Sequence, residues 1–253
     1  MFKHSLNKLR ITLGAAVRDL NYNVLYNWLL HLKSKPIEAN KKSAIVFSPH
    51  QDDETIGCGG MIALKRSQGI PVKVVFLTDG RYGKPSDVKP ENAVKFRQEE
   101  ALTALNILGI EPSQTQFLDE TDGSLAQLTE PQQNLLIAKL VEILQSFEPQ
   151  EVYVPHHHDK HPDHEATYSL VRTAIEVSRQ QIELLQYPIW MLWRNPLSSH
   201  EYLHKNSHAY RLSISDFKEK KHQAIGAYKS QTPNLPSSFK QAMYSSYEMF
   251  FKD

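Results

Sequence analysis

Short apolar runs alternate with helical patterns from residue 43 onward, and this alternation constrains the fold more than any other feature of the chain. The runs are rich in β-branched residues, which is typical of buried parallel strands. They are AIVF (44–47), VKVVFLT (72–78), TQFLD (115–119) and EVYVP (151–155). Helical spacing of apolar residues separates them, over 59–68, 91–108 and 130–147. This order predicts an α/β fold, namely a Rossmann-like, doubly wound and mostly parallel sheet with helices on both faces.

The last third of the chain is predicted to extend the sheet. A helix over 162–180 precedes two strand-like runs, LLQYPIWMLW (184–193) and AYRLSIS (209–215). A final helix over 216–229 has Ser215 as its expected cap, and the prolines and serines of QTPNLPSSF (231–239) predict a loop. Trp190 and Trp193 then lie in a strand, where they either pack in the core or stack on a sugar ring.

Polar residues follow three of the strands, and each time at the same end. The first strand runs into SPHQDDE (48–54), the second into TDGRYG (78–83), and the run at 151–155 into HHHDKHPDHEA (156–166). Ligands of open parallel sheets bind outside the carboxyl ends of the strands. We therefore expect these three segments to meet at one rim and to form the functional site.

Two imidazoles and one carboxylate, from His50, Asp53 and His164, make up a ligand set that zinc uses when it keeps a position open for water. Asp52 points away from Asp53 and is free to act as a base toward a metal-bound water, whose pKa zinc lowers to about 7. His161 lies three residues before His164, so the two are near one helix face. Iron(II) also accepts such a ligand set.

Each of these features also has a purely structural interpretation. The DDE run at 52–54 can cap the helix that follows it, and the histidines at 156–158 can belong to a solvated loop. Arg81 lies on the loop after the second strand, either at the rim of the site or in solvent. The glycines of GCGG (57–60) suggest a dinucleotide site only weakly, because they do not form G-x-G-x-x-G.

Residues 1–42 differ from the rest of the chain in charge. They contain eight Lys/Arg and two Asp/Glu, a net charge of +6 in a chain whose total is +1. Their apolar residues recur at helical spacing, which predicts a basic amphipathic helix over about 1–32 and a polar linker over 33–42. The helix either lies on an anionic membrane surface or folds back onto its own domain. We divide the chain into this segment and one domain over 43–253.

Composition excludes several classes of protein. The near-zero total charge gives no reason to expect a nucleic acid as partner. The single cysteine, Cys58, excludes an internal disulfide and a cysteine-based zinc site. A membrane-spanning helix and a cleaved signal peptide are not expected either.

PHQDDE (49–54) and HPDHEA (161–166), in this order and context, resemble the signatures of the PIG-L/LmbE-like family of zinc-dependent N-acetylglucosamine deacetylases. A helix carrying Arg97 and Glu100 before a Leu-Gly turn matches a third family segment. The resemblance covers about residues 43–231 and leaves out 1–42. One departure is visible: Gln51 stands where the family usually has proline.

This resemblance implies a hydrolase that removes an N-acetyl group from an N-acetylglucosamine-type sugar of a glycolipid or glycoconjugate. It implies His50, Asp53 and His164 as zinc ligands and Asp52 as general base. His161 would stabilise the oxyanion or protonate the leaving amine, and Asp163 would orient His161 by a hydrogen bond. Arg97 would help to place the substrate, and Asp122 with Gly123 would lie near the acetyl pocket.

The alternatives to this function are a deacetylase of a soluble amino-sugar conjugate and a non-catalytic sugar-binding or membrane-associated module on the same fold. We expect a cytoplasmic protein, or one bound peripherally at the inner face of the membrane through residues 1–32. The sugar, its aglycone and the oligomeric state are left open.

Overall fold

The computed structural model describes residues 17–83, 90–194 and 208–252, together with Gly14. Its strands are β1 (Lys35–Ile37), β2 (Ala44–Ser48), β3 (Val72–Thr78), β4 (Thr115–Glu120), β5 (Glu151–Pro155), β6 (Glu183–Tyr187), β7 (His208–Ser213) and β8 (Tyr247–Lys252). Its helices are α1 (17–28), α2 (Asp53–Ser67), α3 (Pro90–Leu108), α4 (Glu130–Phe147), α5 (Pro162–Ser178), α6 (Met191–Arg194), α7 (Lys218–Ala227) and α8 (Ser237–Met243). A π-helical turn, Leu29–Lys33, follows α1.

The eight strands form one mixed sheet in the order β1-β7-β8-β6-β5-β2-β3-β4. The five strands from β6 to β4 are parallel to one another, and β8 runs antiparallel to both of its neighbours. Successive residues of β2 enter different cores: Val46 packs with residues of α2 and α3, whereas Phe47 packs with residues of α4 and α5. Because both faces of the sheet are covered, the predicted α/β class is confirmed.

Two glycines of α2 allow close packing at the centre of the molecule. A Cβ on Gly57 would lie 2.8 Å from Cγ of Tyr187 in β6, and one on Gly60 would lie 2.7 Å from Cβ of Ile214. Real Cβ atoms do not approach this closely, so the two glycines let the helix lie against its neighbours. The GCGG run is thus explained by packing and does not need a dinucleotide.

Three predictions for the last third of the chain are wrong in part. The strand predicted over 184–193 ends at Tyr187, and the short helix α6 follows because a buried carboxylate binds the backbone N–H groups of 189–191. Ser215 lies in a 3₁₀ turn, and α7 starts at Lys218 without a side-chain cap. The loop predicted over 231–239 contains a 3₁₀ turn and the start of α8.

Two strands were not predicted. β8 lies between β6 and β7 in the sheet, and no local sequence pattern predicts this long-range pairing. β1 lies within the predicted linker 33–42 and pairs with β7 in the same sheet. The division of the chain at residue 42 stays a prediction, although the described residues before it share the sheet and core of those after it.

Helix α1 has a buried face and an exposed apolar face. Tyr22 and Leu25 pack in the core of the domain, together with Leu29 and Leu30 of the turn that follows. The described part of the predicted helix therefore packs on its own domain, as one of the two interpretations predicted. Residues 1–13, 15 and 16 of that prediction lie outside the described residues. Three exposed apolar side chains of α1 and one of the turn that follows it form what we call the α1 stripe: Val17, Leu20, Val24 and Leu32. None of the helices in the described part of the chain combines the length and apolarity needed to cross a bilayer.

Candidate active site

Loops from four neighbouring strands meet at one rim of the sheet. β2 leads to His50 and α2, and β5 leads to the loop that ends at His161 and α5. Since β2 pairs with both β3 and β5, loops that are distant in sequence become neighbours. The predicted convergence of three strand ends is confirmed, and the loop after β4 adds Asp122 to the same rim.

The three predicted metal ligands lie around one point. Oδ2 of Asp53 is 3.2 Å from Nδ1 of His50 and 3.2 Å from Nε2 of His164. Burial raises the pKa of Asp53, but the two imidazoles outweigh it and hold that pKa far below its ordinary value. The structure thus brings the three side chains into one cluster, and their role as ligands stays a prediction.

The far nitrogen of each of these histidines faces a carboxylate. Nε2 of His50 lies 3.1 Å from Oδ1 of Asp122 and 3.2 Å from Oδ2 of Asp163. Nδ1 of His164 lies 2.6 Å from Oδ2 of Asp159. In a neutral imidazole only one ring nitrogen carries a proton. If the nitrogen farther from Asp53 donates that proton to its carboxylate, the nitrogen next to Asp53 keeps a lone pair. His50 therefore offers Nδ1 and His164 offers Nε2, the two atoms that flank Asp53.

Asp163 has partners other than the one predicted for it. Besides His50, its carboxylate accepts hydrogen bonds from the backbone N–H groups of Gly123 (2.8 Å) and Leu125 (3.1 Å). Within the described residues, the buried Nδ1 of His161 has no hydrogen-bond partner. Asp163 lies in the first turn of α5 and faces the loop after β4, whereas His161 precedes the helix in an extended conformation. The predicted hydrogen bond that would orient His161 is not formed at Nδ1.

The cluster fits a divalent cation. Among the residues that the structure describes, Nε2 of His164 and Nδ1 of His161 have no hydrogen-bond partner although both are buried, and one ring nitrogen of each lies within 4.8 Å of one of His50. Burial lowers the pKa values of His50 and His164, yet the surrounding carboxylates raise both, that of His164 to about 9. The surroundings stabilise positive charge, which two protons or one dication can supply. Two nitrogens and a carboxylate oxygen suit zinc or iron(II).

Asp52 lies next to Asp53 in the chain, and its carboxylate is placed near Arg97. It is the N-cap residue of α2, but its side chain makes no capping hydrogen bond, so the helix-cap interpretation fails for this carboxylate. Its φ of 147° is a strained conformation for a residue other than glycine, and such strain is concentrated at functional sites. Burial raises the pKa of Asp52 to about 7, and the Arg97 guanidinium acts against this shift.

Arg97 is a nearly buried cation with few close partners. Only 2% of its side chain is exposed, and its Nη1 makes no hydrogen bond within the described residues. Nε lies 3.5 Å from Oε1 of Gln51, and Nη2 lies 3.7 Å from Oδ1 of Asp52. A buried guanidinium with unused donors suits a polar ligand at this rim. Its predicted contact with substrate stays a prediction.

Gln51, the residue that departs from the family pattern, joins two strand ends. Its buried amide nitrogen donates a hydrogen bond to the backbone oxygen of Thr78, at 2.8 Å. A Cβ on Gly80 would collide with its amide oxygen, and Gly80 also has a φ of 63°, which favours glycine. Gln51 thus connects the β2 end to the β3 end and lies against Arg97.

The loop after β3 is organised by Asp79, which the sequence did not single out. One carboxylate oxygen of Asp79 accepts the backbone N–H of Arg81, and the other binds the Arg81 guanidinium. Asp122 accepts the backbone N–H of Tyr82 at 3.0 Å, which ties the loops after β3 and β4 together. The guanidinium of Arg81 therefore already has a partner, and its predicted substrate contact stays a prediction.

Two further buried carboxylates hold the segment after α7 against the site. Glu54 accepts a hydrogen bond from the Tyr228 hydroxyl. Glu100 accepts two from Ser230, one from the backbone N–H (2.8 Å) and one from the hydroxyl (2.6 Å). Both acids belong to motifs that the sequence showed, but only the fold reveals their partners more than a hundred residues away.

The family model described as "PIG-L: GlcNAc-PI de-N-acetylase" matches residues 45–175 of this chain. These residues include both motifs, all of β2 except its first residue, β3 to β5 and every side chain of the cluster.

Two curated relatives and one solved structure show the same likeness. The "uncharacterized deacetylase YaiS" of Escherichia coli K12 is 34% identical over 136 residues, which cover 51% of this chain and 66% of the relative. The "probable N-acetyl-alpha-D-glucosaminyl L-malate deacetylase 2" of Bacillus subtilis 168 is 30% identical over 149 residues, or 53% of this chain and 61% of the relative. The chain thus spans less than two thirds of either. The conserved protein TT1542 from Thermus thermophilus superposes with a TM-score of 0.63 at 26% identity, over 83% of this chain and 93% of that one.

Proposed function

This chain belongs to the PIG-L family, and on that premise we propose that it is a zinc-dependent hydrolase that removes the N-acetyl group from an N-acetylglucosamine-type sugar of a larger conjugate. The observation that carries the proposal is the cluster of His50, Asp53 and His164, with the carboxyl group of Asp52 beside it. Two motifs far apart in the sequence supply this one arrangement, and each ligand histidine has a carboxylate on its far nitrogen.

His50, Asp53 and His164 would hold the metal, and His161 lies at the same point with its ring centroid 4.6 Å from that of His164. When bound there, a zinc or iron(II) ion polarises a carbonyl and acidifies a water molecule. Asp52 would take the proton of the attacking water, because its carboxyl group is partly exposed and is not used by the cluster. General base catalysis of this kind contributes about 10²–10⁴-fold.

His161 would act on the acetyl oxygen and on the leaving amine, whereas Asp52 acts on the attacking water. Its ring centroid lies 5.0 Å from that of His50, so it borders the cluster. A donor at this position can stabilise the oxyanion that forms on the acetyl carbonyl. Burial lowers the pKa of His161 to about 4, so the ring is neutral at pH 7. It would pass to the leaving amine the proton that Asp52 took from water, which releases the free amino sugar and acetate.

The curated relative from Bacillus subtilis is named as a deacetylase of a glucosaminyl conjugate, which supports this class of substrate. The test is amine release from N-acetylglucosamine conjugates with acidic, sugar and lipid aglycones, using the full-length chain loaded with zinc. We expect stoichiometric amine and acetate from at least one conjugate, and loss of both with Asp52→Asn. Zinc-loaded protein that releases amine from none of them would contradict the proposal and favour a non-catalytic module.

We also propose that the substrate is a glycolipid and that the α1 stripe contacts the membrane. Asp19 near the start of α1 accepts hydrogen bonds from Nε1 of Trp193 (3.4 Å) and from Ser238 (2.5 Å). Trp193 follows the carboxyl end of β6, so the start of α1 lies at the same end of the sheet as the site. The net charge of +6 over residues 1–42 complements anionic lipid.

Sedimentation with vesicles tests this contact. Vesicles with and without an anionic lipid are compared for the wild type and for the double variant Leu20→Asp, Val24→Asp. Leu135→Asp is the control, because Leu135 on α4 is 62% exposed, as against 64% for Leu20 and 63% for Val24. We expect binding to anionic vesicles that only the double variant loses. Full-length protein that ignores anionic vesicles would leave the soluble conjugate as the substrate.

A further inference from the structure

The carboxyl group of Asp159 is fully buried in the loop between β5 and α5. Its Oδ2 lies 2.6 Å from Nδ1 of His164, the nitrogen that faces away from Asp53. No motif match singled out this residue, and it forms no part of the proposed catalytic steps.

Three backbone N–H groups that follow β6 also donate to the same carboxylate. Oδ1 accepts those of Ile189 at 2.8 Å, Trp190 at 2.9 Å and Met191 at 3.0 Å, and the Trp190 N–H also lies 3.0 Å from Oδ2. Backbone N–H groups can only donate, so this side of Asp159 can only accept. A single carboxylate thus joins His164 to the start of α6.

These donors determine which nitrogen of His164 carries the proton. An ionised carboxylate accepts at both oxygens, so Nδ1 of His164 must donate to Oδ2. The neutral ring then has its lone pair on Nε2, which lies 3.2 Å from Asp53 and makes no hydrogen bond in the described part of the chain. That is the state in which Nε2 can bind a metal.

We infer that Asp159 is a positioning residue for the metal site: it fixes the tautomer and the direction of His164, and it ties this ligand to residues 189–191. The inference rests on the metal cluster of the proposed function. It adds a residue whose loss lowers metal affinity while all three ligands remain in place.

Asp159→Asn separates this role from a general one in folding. The asparagine oxygen can still accept the three backbone N–H groups, so its amide nitrogen is placed opposite His164. A donor there requires Nδ1 to accept, which moves the proton to Nε2 and blocks the metal. The control is Glu151→Gln, which removes another buried carboxylate at the amino end of β5, where it pairs with Lys65 at 2.9 Å.

Zinc affinity is measured by competition with a chelator for the wild type and both variants. We expect binding about 10–100-fold weaker for Asp159→Asn and unchanged for Glu151→Gln. In zinc-loaded wild type, nitrogen-15 NMR should show a slowly exchanging proton on Nδ1 of His164, and this signal should be lost in Asp159→Asn.

If Asp159→Asn bound zinc as tightly as the wild type, this inference would be overturned while the proposed function would stand. The same holds if Asp159→Asn and Glu151→Gln lost zinc affinity equally. Zinc-loaded wild type without a proton on Nδ1 of His164 would overturn it without any variant. Wild-type protein that binds no zinc would instead overturn the metal site of the proposed function, and this inference with it.

Discussion

Asp52 and Arg97 face each other at the rim of the sheet, with Oδ1 of Asp52 3.7 Å from Nη2 of Arg97. The arginine is almost fully buried, so its charge acts on the carboxylate with little screening by solvent. The neighbouring Asp53 contacts two histidines instead. Two adjacent aspartates therefore lie in different electrostatic surroundings, as separate roles in base catalysis and metal binding require.

Asp52→Asn should keep the metal and lose most of the activity. The amide cannot take a proton from water, so kcat should fall by about 10²–10⁴-fold. The metal affinity should stay close to that of the wild type because Asp52 is not among the proposed ligands. Metal content and amine release measured on the same preparation check both parts. A parallel loss of metal and activity would show that the two aspartates share one role.

Gln51→Leu should lower the free energy of unfolding by about 1–3 kcal/mol, because it leaves the buried oxygen of Thr78 without its hydrogen bond. Gln133→Leu is the matched control. Gln133 makes the same kind of bond, to the oxygen of Leu128 at 2.9 Å, but in an exposed position where water can replace it. Its effect should stay within about 0.5 kcal/mol. Equal urea midpoints for the two variants would show that the hydrogen bond from Gln51 to Thr78 stabilises the protein no more than the exposed bond of Gln133.

Much of this fold was predictable because its central strands β2, β3 and β5 are buried on both faces. β3, β5 and α4 have the predicted bounds, since their apolar patterns are local and uninterrupted. β8 was missed because its neighbours in the sheet are β6 and β7, a pairing that no short window of sequence contains. The strand predicted through Trp190 failed because Asp159 binds the backbone there, and this contact arises only in the folded chain.

The same distinction applies to the site. His50, Asp53 and His164 were predictable, because they belong to two motifs at strand ends that a parallel sheet brings together. Asp79 and Asp159 were not, since a single aspartate in a loop carries no signal of its own. Only the structure shows that Asp79 is buried at the end of β3.

Gly57→Ala should destabilise the protein by about 1–3 kcal/mol, because the added methyl group overlaps the ring of Tyr187. Gly226→Ala, on α7, is the control. No atom lies within 4 Å of the position of its Cβ, so the helical preference of alanine should leave stability unchanged or raise it by up to about 1 kcal/mol. Thermal unfolding of both variants checks this. An unchanged thermal stability of Gly57→Ala would show that close packing does not explain the GCGG run.

His156 should make the protein less stable in acid. Its pKa is held well below the ordinary value, first by burial and then by nearby positive charge from His157, His158 and Lys160. Its Nδ1 also accepts the backbone N–H of His158 at 3.0 Å, which a proton on that nitrogen would prevent. The unfolded chain takes up a proton near pH 6.5, so the folded state binds fewer protons. The free energy of unfolding should therefore fall as the pH drops below about 6.5, by up to about 1.4 kcal/mol per unit.

His156→Gln removes this titration and keeps an acceptor for His158. Urea unfolding of wild type and variant between pH 5 and 8 isolates the contribution of this one side chain, since all other titrating groups are shared. The difference in stability should change with pH below about 6.5 and level off above it. If the free energies of unfolding of wild type and variant changed with pH in parallel, His156 would not be the cause of the lower stability in acid.

The metal content of the purified chain, with His164→Ala measured beside the wild type, shows whether the two motifs form one metal site. The protein is prepared without added metal, titrated with zinc and analysed for bound zinc and iron. We predict about one ion per chain in the wild type and its loss in His164→Ala, since the second motif then supplies no ligand. A wild type that retains no metal and takes none up would contradict the account, and so would a variant that binds metal as the wild type does.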